Sequence, residues 1–169
     1  MATLRRSIVV SILFTVFGGP GIVLVFLPLW ITRFRIPAGE PGWEKALAWV
    51  LIAAGLVPLL ESIGRFVAVG RGTLMPNVPT ERLVASGLYR FVRNPMYVGD
   101  LTVLAGESLL FQSRGLAVYT VLVWLGFDLF VRLYEEPTLT RRHGEDYARF
   151  KRHVPRWLPR MRPWRGDGA

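Results

Sequence analysis

The chain contains no cysteine and only two histidines, His143 and His153. The first absence removes disulfides, thiolate metal ligands and a cysteine nucleophile, and it leaves the redox compartment unread. The second leaves too few imidazoles for a histidine metal cage, so no metal is expected. Charge is scarce too, at 20% of 169 residues, and one-sided: 21 Lys and Arg against 12 Asp and Glu give a formal net charge of +9. That excess would suit nucleic acid if it covered a polar surface. Here 51% of the residues are hydrophobic, mean hydropathy is +0.35, and the basic residues fall between long apolar blocks. This is the pattern of a polytopic membrane protein, with no nucleic-acid partner expected. Also missing are internal repeats, low-complexity tracts, a Ser-His-Asp arrangement and a phosphate-binding glycine loop. Gly18-Gly19-Pro20-Gly21 is too apolar in context to be one.

Four apolar blocks are present. The first, Ser7 to Trp30, follows Arg5 and Arg6 and is too long, and too poor in cleavage-site residues, for a signal peptide. It is long enough to cross a hydrocarbon core, which needs about 20 residues, with a kink or break expected at Gly18–Gly21. A turn containing Pro37, Gly39, Glu40 and Pro41 leads to the second block, Trp43 to about Val69, where Glu61 and Arg65 sit four apart and read as a structural pair. Gly72, Pro76 and Pro79 then argue against a long helix. The third block, Met96 to Phe111, is short and carries Asp100 and Glu107 on one helical face. A tight Gln112-Ser113-Arg114-Gly115 connection makes it an antiparallel neighbour of the fourth, Leu116 to about Tyr134, with Asp128 and Arg132 again four apart. That block ends at Glu135-Glu136-Pro137, where proline closes the span or starts a new interfacial helix.

The expected fold is therefore all-α, a polytopic integral membrane protein with about four transmembrane helices and a basic interfacial C-terminal helix. It forms one domain over residues 1–169: N-terminal spans over 1–70, a cofactor-binding core over 71–160 and a tail over 161–169. Nine of the 21 Lys and Arg residues lie between Arg141 and Arg165. The positive-inside rule places that tail, and with an even number of spans the N-terminus too, on the cytoplasmic side of an inner or cell membrane, bacterial or similar. Tyr147, Phe150, Val154, Trp157 and Leu158 fall at helical spacing among the arginines, as in an amphipathic interfacial helix that closes over the site as a lid.

The chain is organised around the run from Gly87 to Gly99, GLYRFVRNPMYVG. Asn94 suits an N-cap and Pro95 the first helical position, so a helix begins here beside Arg90 and Arg93. Free backbone N–H groups and the positive dipole end suit a carboxylate or phosphate. The fourth block returns to the same face at Glu135 and Glu136, and the two motifs make one pocket. Taken alone, the acidic pair also suits pairing with tail arginines. With Tyr89, Phe91 and Tyr97 for an aromatic base and two acids for an amine or ribose diol, the pocket fits the groups of S-adenosylmethionine.

Leu83-Val84, Ser86-Gly87, Tyr89, Arg93 to Gly99, Glu135-Glu136, Leu139, Gly144, Tyr147 and Val154-Pro155 together resemble the integral-membrane methyltransferases, the group that includes isoprenylcysteine carboxyl methyltransferase and the phospholipid methyltransferases. The resemblance covers residues 80–160. It implies a helical membrane enzyme that uses S-adenosylmethionine at the cytosolic face to methylate a lipid-like or prenylated small acceptor. By the family pattern Leu83, Val84, Tyr89, Asn94, Pro95, Met96, Tyr97 and Glu135 touch the cofactor. Asn94 stands where the family usually has histidine, and asparagine cannot titrate near neutrality. On the acceptor side, Arg90, Arg93 or Arg132 would orient a carboxylate, and Glu136 or Asp100 would take a proton from an amine. Two alternatives compete: a membrane reductase using a nicotinamide dinucleotide, and a noncatalytic membrane scaffold whose acids and arginines merely pair.

Overall fold

The computed structural model describes residues 19–34, 42–68 and 83–166. Arg5 and Arg6, the first block before Gly19, the turn at residues 37–41 and the Gly72, Pro76 and Pro79 stretch lie outside them. All regular structure among the described residues is helical. Helix α1 spans Gly19–Ile31, α2 Trp43–Ala68, α3 Pro95–Leu110, α4 Arg114–Phe130 and α5 Glu136–His153. A π turn, Val131–Glu135, joins α4 to α5 in one helical path of 40 residues. Among the described residues, two helices are long and apolar enough to cross a membrane: the Trp43–Arg65 part of α2, and the path that begins with α4. At 16 residues α3 is about 24 Å long, and the described part of the first block is shorter still.

The bundle is held by small residues where helices run closest. On α2, Ala48 and Gly55 lie seven apart, and on α3 so do Gly99 and Gly106. Because the helices are antiparallel, Gly55 meets Gly99 and Ala48 meets Gly106. A Cβ added to Gly55 would stand 2.6 Å from the Gly99 carbonyl oxygen, and one on Gly106 would stand 2.8 Å from that of Ala48. Lipid tails give apolar helices little reason to associate, so close backbone approach at small residues supplies the packing. Next to this seam Leu24 of α1 packs with Leu59, Val103 and Leu104.

Two expectations need correcting, and one left open is decided. The irregularity in the first block is a π turn at Ile22–Phe26, not a break at Gly19–Gly21, which is helical; Gly18 lies outside the described residues. The Tyr119 hydroxyl donates to the Val23 carbonyl at 3.1 Å, so a neighbouring helix does cover the irregular backbone. At Pro137, where the sequence left two outcomes open, the proline starts a new helix rather than closing the path. It occupies the first turn of α5, and the preceding π turn absorbs its missing N–H. The amphipathic tail is helical only to His153. Pro155 disfavours a helical conformation at Val154, which is extended (φ −113°, ψ 122°), so Trp157 and Leu158 lie in an irregular segment. Gly144, with φ 50° and ψ −122°, also breaks α5 internally.

Candidate functional site

The run from Gly87 to Tyr97 is built on α2. The Glu61–Arg65 ion pair forms at its expected spacing, and the Arg65 guanidinium donates to Ser86 Oγ at 3.1 Å. Gly87 then turns the chain with φ 58°, a left-handed conformation that favours glycine, and a Cβ there would displace the Arg65 and Glu61 side chains. A short 3₁₀ turn, Gly87–Arg90, buries Tyr89 against Val84, Tyr147, Phe150 and Val154, with Leu83 at the edge of the cluster. Burial lifts the Tyr89 hydroxyl well above its ordinary pKa and pushes Tyr147 up to about 12, keeping both neutral.

Helix α3 begins at Pro95, as the sequence indicates, but Asn94 does not cap it with its side chain. Its amide donates instead to the Arg156 carbonyl at 3.2 Å, and its own carbonyl accepts from the Val98 N–H at 3.0 Å. The first-turn N–H groups of α3 therefore have no side-chain cap from Asn94. Pro95 is buried and Met96 packs against the core cluster around Leu104. Tyr97 stacks on Phe127 of α4 with centroids 4.5 Å apart, and its hydroxyl donates to Glu135 Oε2 at 3.3 Å. Asp100 is buried one turn further along, with Oδ1 unpartnered.

The two consecutive acids part company. Successive helical residues point about 100° apart, so a helix that aims Glu135 at Tyr97 aims Glu136 elsewhere. Glu136 Oε1 accepts from Arg93 Nη1 at 2.8 Å and from Arg156 Nε at 2.7 Å, while Oε2 accepts from Arg156 Nη2 at 3.1 Å. Lys151 stands 3.8 Å from Oε2. Burial alone would raise the Glu136 pKa, but the bonds and charges of Arg156, Arg93 and Lys151 outweigh it and hold the carboxyl below its ordinary value. The forked bond to Glu136 correspondingly raises Arg156.

The other expected arginines are engaged away from Glu135. Arg90 Nε donates to the Trp164 carbonyl at 2.6 Å, and Arg132 pairs with Asp128 at 2.6 Å with its side chain largely exposed. The tail lies along the run: Arg93 N–H bonds the Pro155 carbonyl, Arg160 N–H that of Phe91 and Trp164 N–H that of Arg90, at 2.9, 3.0 and 2.9 Å. Sequence reasoning named Trp157 only as a residue of the tail helix, and its Nε1 donates to Asp128 at 2.9 Å; Arg156 and Phe127 it missed. Only Arg156 carried a signal, following Val154-Pro155 directly. A separate groove of about 760 Å³, lined by Trp43, Glu44, Ser108, Arg114 and Thr120 among others, lies at the far end of the bundle and contains none of these groups.

The profile of the phospholipid methyltransferase family matches residues 43–146, well over half of the chain and all of the segment from α2 through Glu135 and Glu136. The chain belongs to that family. No curated protein and no solved structure matches it. Phospholipid methyltransferases are integral-membrane methyltransferases, and the two membrane-length apolar helices agree with that location. The match includes the Arg93 to Gly99 run and the acidic pair, and stops before the tail from Tyr147 onward that packs against them.

Proposed function

We propose that this family member transfers the methyl group of S-adenosylmethionine to a heteroatom of a lipid-borne acceptor at the cytosolic membrane face. The observation that carries the reading is the contact of Tyr97 with Glu135, which joins the start of α3 to the end of the π turn across 38 residues of sequence. Beside it lie a helix N-terminus without a side-chain cap, an aromatic pair and a carboxylate outside the arginine clamp. These suit the donor's carboxylate, adenine, and amine or ribose, respectively. Bound there, the sulfonium would supply a methyl group already activated for transfer.

The rest falls to the chain. The first-turn N–H groups of α3 and Asn94 would receive the carboxylate, and Glu135 with Tyr97 the ribose or amine. Leu83, Val84, Tyr89, Pro95 and Met96 would form the surrounding wall. Glu136, with both oxygens bound by arginine, acts as a positioning group that fixes its neighbour, and catalysis rests on alignment and exclusion of water. The acceptor approaches from lipid, because Leu129, Phe130, Leu133 and Tyr134 immediately before Glu135 are exposed apolar side chains. The family description puts a phospholipid first among acceptors. Four crossings complete the reading, with α1 and the residues before it forming the first, α2, α3 and α4 the others, and both termini cytoplasmic. A single domain results.

Calorimetric titration of S-adenosylmethionine and its demethylated product into detergent-purified protein tests this. Micromolar binding lost in both Glu135→Ala and Tyr97→Ala is expected. A folded wild type that binds neither compound removes the proposal. Incorporation of labelled methyl groups into phospholipid fractions then identifies the acceptor.

A further inference from the structure

We infer that the segment after α5, residues 154–166, is an interfacial strap that seats on an anionic lipid surface, with Leu158 and Met161 in the edge of the hydrocarbon and Arg162 and Arg165 at the lipid phosphates. Leu158 and Met161 are 81% and 95% exposed, the two most exposed large hydrophobic side chains among the described residues. Neither has an apolar partner surface to justify it, and both sit among arginines, the composition of an interfacial anchor.

The strap's depth supports the assignment. Trp157 reaches Asp128, which stands seven residues before Glu135 and so about 10 Å deeper along the apolar helix. At that level α4 exposes Leu125 and Leu129, side chains that face lipid in a membrane-spanning helix. Leu158 follows Trp157 directly, and the backbone bonds of Pro155 and Arg160 to Arg93 and Phe91 hold it beside the start of α3, at the rim of this apolar surface. The strap is also preorganised. Pro155, Pro159 and Pro163 restrict its backbone, and its three backbone bonds to Arg90, Phe91 and Arg93 fix its course, so seating on a membrane costs little ordering. Charge selects the surface: exposed Arg162 and Arg165 each gain about fivefold in partitioning at an anionic leaflet.

A consequence follows for the site and rests on the proposed function. Arg156, which clamps Glu136 and whose carbonyl receives Asn94, belongs to this strap. Seating the strap on anionic lipid therefore stabilises the clamp, and cofactor affinity rises with the anionic fraction of the bilayer.

The absence of native cysteine makes a clean test available. Full-length protein carrying Met161→Cys, or Glu145→Cys as a control on α5, is labelled with an environment-sensitive fluorophore and placed in lipid nanodiscs, either purely zwitterionic or one-third anionic. The label at 161 is expected to shift to the blue and be quenched by quencher-bearing lipid in anionic discs, with the label at 145 unchanged. Adding Arg162→Gln and Arg165→Gln should lower the seated fraction, with a seated-to-free ratio reduced about 25-fold. A label at 161 that stays in water in every bilayer overturns the proposal. So does burial that ignores lipid charge, or that depends on the number of protein copies per disc, which would assign the surface to a second copy. These readouts need no cofactor, so they stand or fall apart from the methyl-transfer reading. If the strap seats but cofactor affinity is the same in both discs, the regulatory consequence is overturned.

Discussion

Replacing Glu136 with glutamine keeps the shape of the side chain and removes the one negative charge that Arg93, Arg156 and Lys151 share. The Glu136, Arg93 and Arg156 side chains are 9%, 11% and 21% exposed, so the clamp is largely shielded from solvent, with Lys151 at its exposed edge. Removing one partner of such a buried pair leaves uncompensated charge and costs about 3–5 kcal/mol. Glutamine retains an acceptor oxygen, and Arg156 keeps Asp128 at 3.7 Å, so the lower end applies, about 3 kcal/mol. For a chain of this length that corresponds to a fall in melting temperature of about 6–12 °C. Thermal unfolding of the variant and wild type in one detergent at one scan rate measures it. Glu135→Gln, which weakens one bond to Tyr97 and leaves the clamp intact, should cost about 1 kcal/mol. A double-mutant cycle with Arg156→Met isolates the pair, and a coupling of about 1–3 kcal/mol is expected. Unchanged melting in Glu136→Gln, or additive effects in the cycle, would falsify the clamp as the fastener of the tail.

Other outcomes follow from the same contacts. Because the folded Glu136 pKa lies below its ordinary value of 4.5, the stability it contributes is present above that pH and is lost as pH falls through the folded pKa. Melting temperature plotted against pH should drop more steeply below about 4.5 in the wild type than in Glu136→Gln; parallel curves refute this. Gly99→Leu should abolish the monodisperse peak in size exclusion, because even a Cβ there would stand 2.6 Å from the Gly55 carbonyl oxygen, whereas Gly126→Leu, with open space around it, should be silent. Gly87→Ala should cost about 1–2 kcal/mol from its left-handed backbone alone, with the clash against Arg65 and Glu61 adding to it; a wild-type melting temperature would contradict the turn's geometry.

Much of the fold was legible because hydropathy blocks and breakers act locally. The helix start at Pro95, the tight connection to α4 and the Glu61–Arg65 and Asp128–Arg132 pairs all follow from spacings of four or fewer residues. The failures have other causes. Extending a helical period through Val154 and Trp157 ignored Pro155, and reading Asn94 as a cap followed local preference where the Arg156 carbonyl, 62 residues away, competes for its amide. The small-residue seam was visible as two pairs spaced by seven, Ala48 and Gly55, Gly99 and Gly106. Neither hydropathy nor charge marks such a seam, because association in lipid depends on how closely backbones can approach.

The acidic pair shows why the site could be located from sequence but not divided into roles. Two carboxylates in succession read as one binding feature, yet a helix cannot aim both at one ligand. The π turn ending at Glu135 sets which goes where: Glu135 faces Tyr97 across the gap between α3 and α4, and Glu136 faces the arginines. Arg93 precedes α3 by two residues, and Arg156 follows α5 by three. Both converge on Glu136, so the chain entering α3, the start of α5 and the tail are tied at a single carboxylate. Glu135 is covalently next to that tie. Its position relative to Tyr97 is therefore set by a charge it does not carry, and this explains how a carboxylate can be held near an uncapped helix start without an arginine of its own to neutralise it.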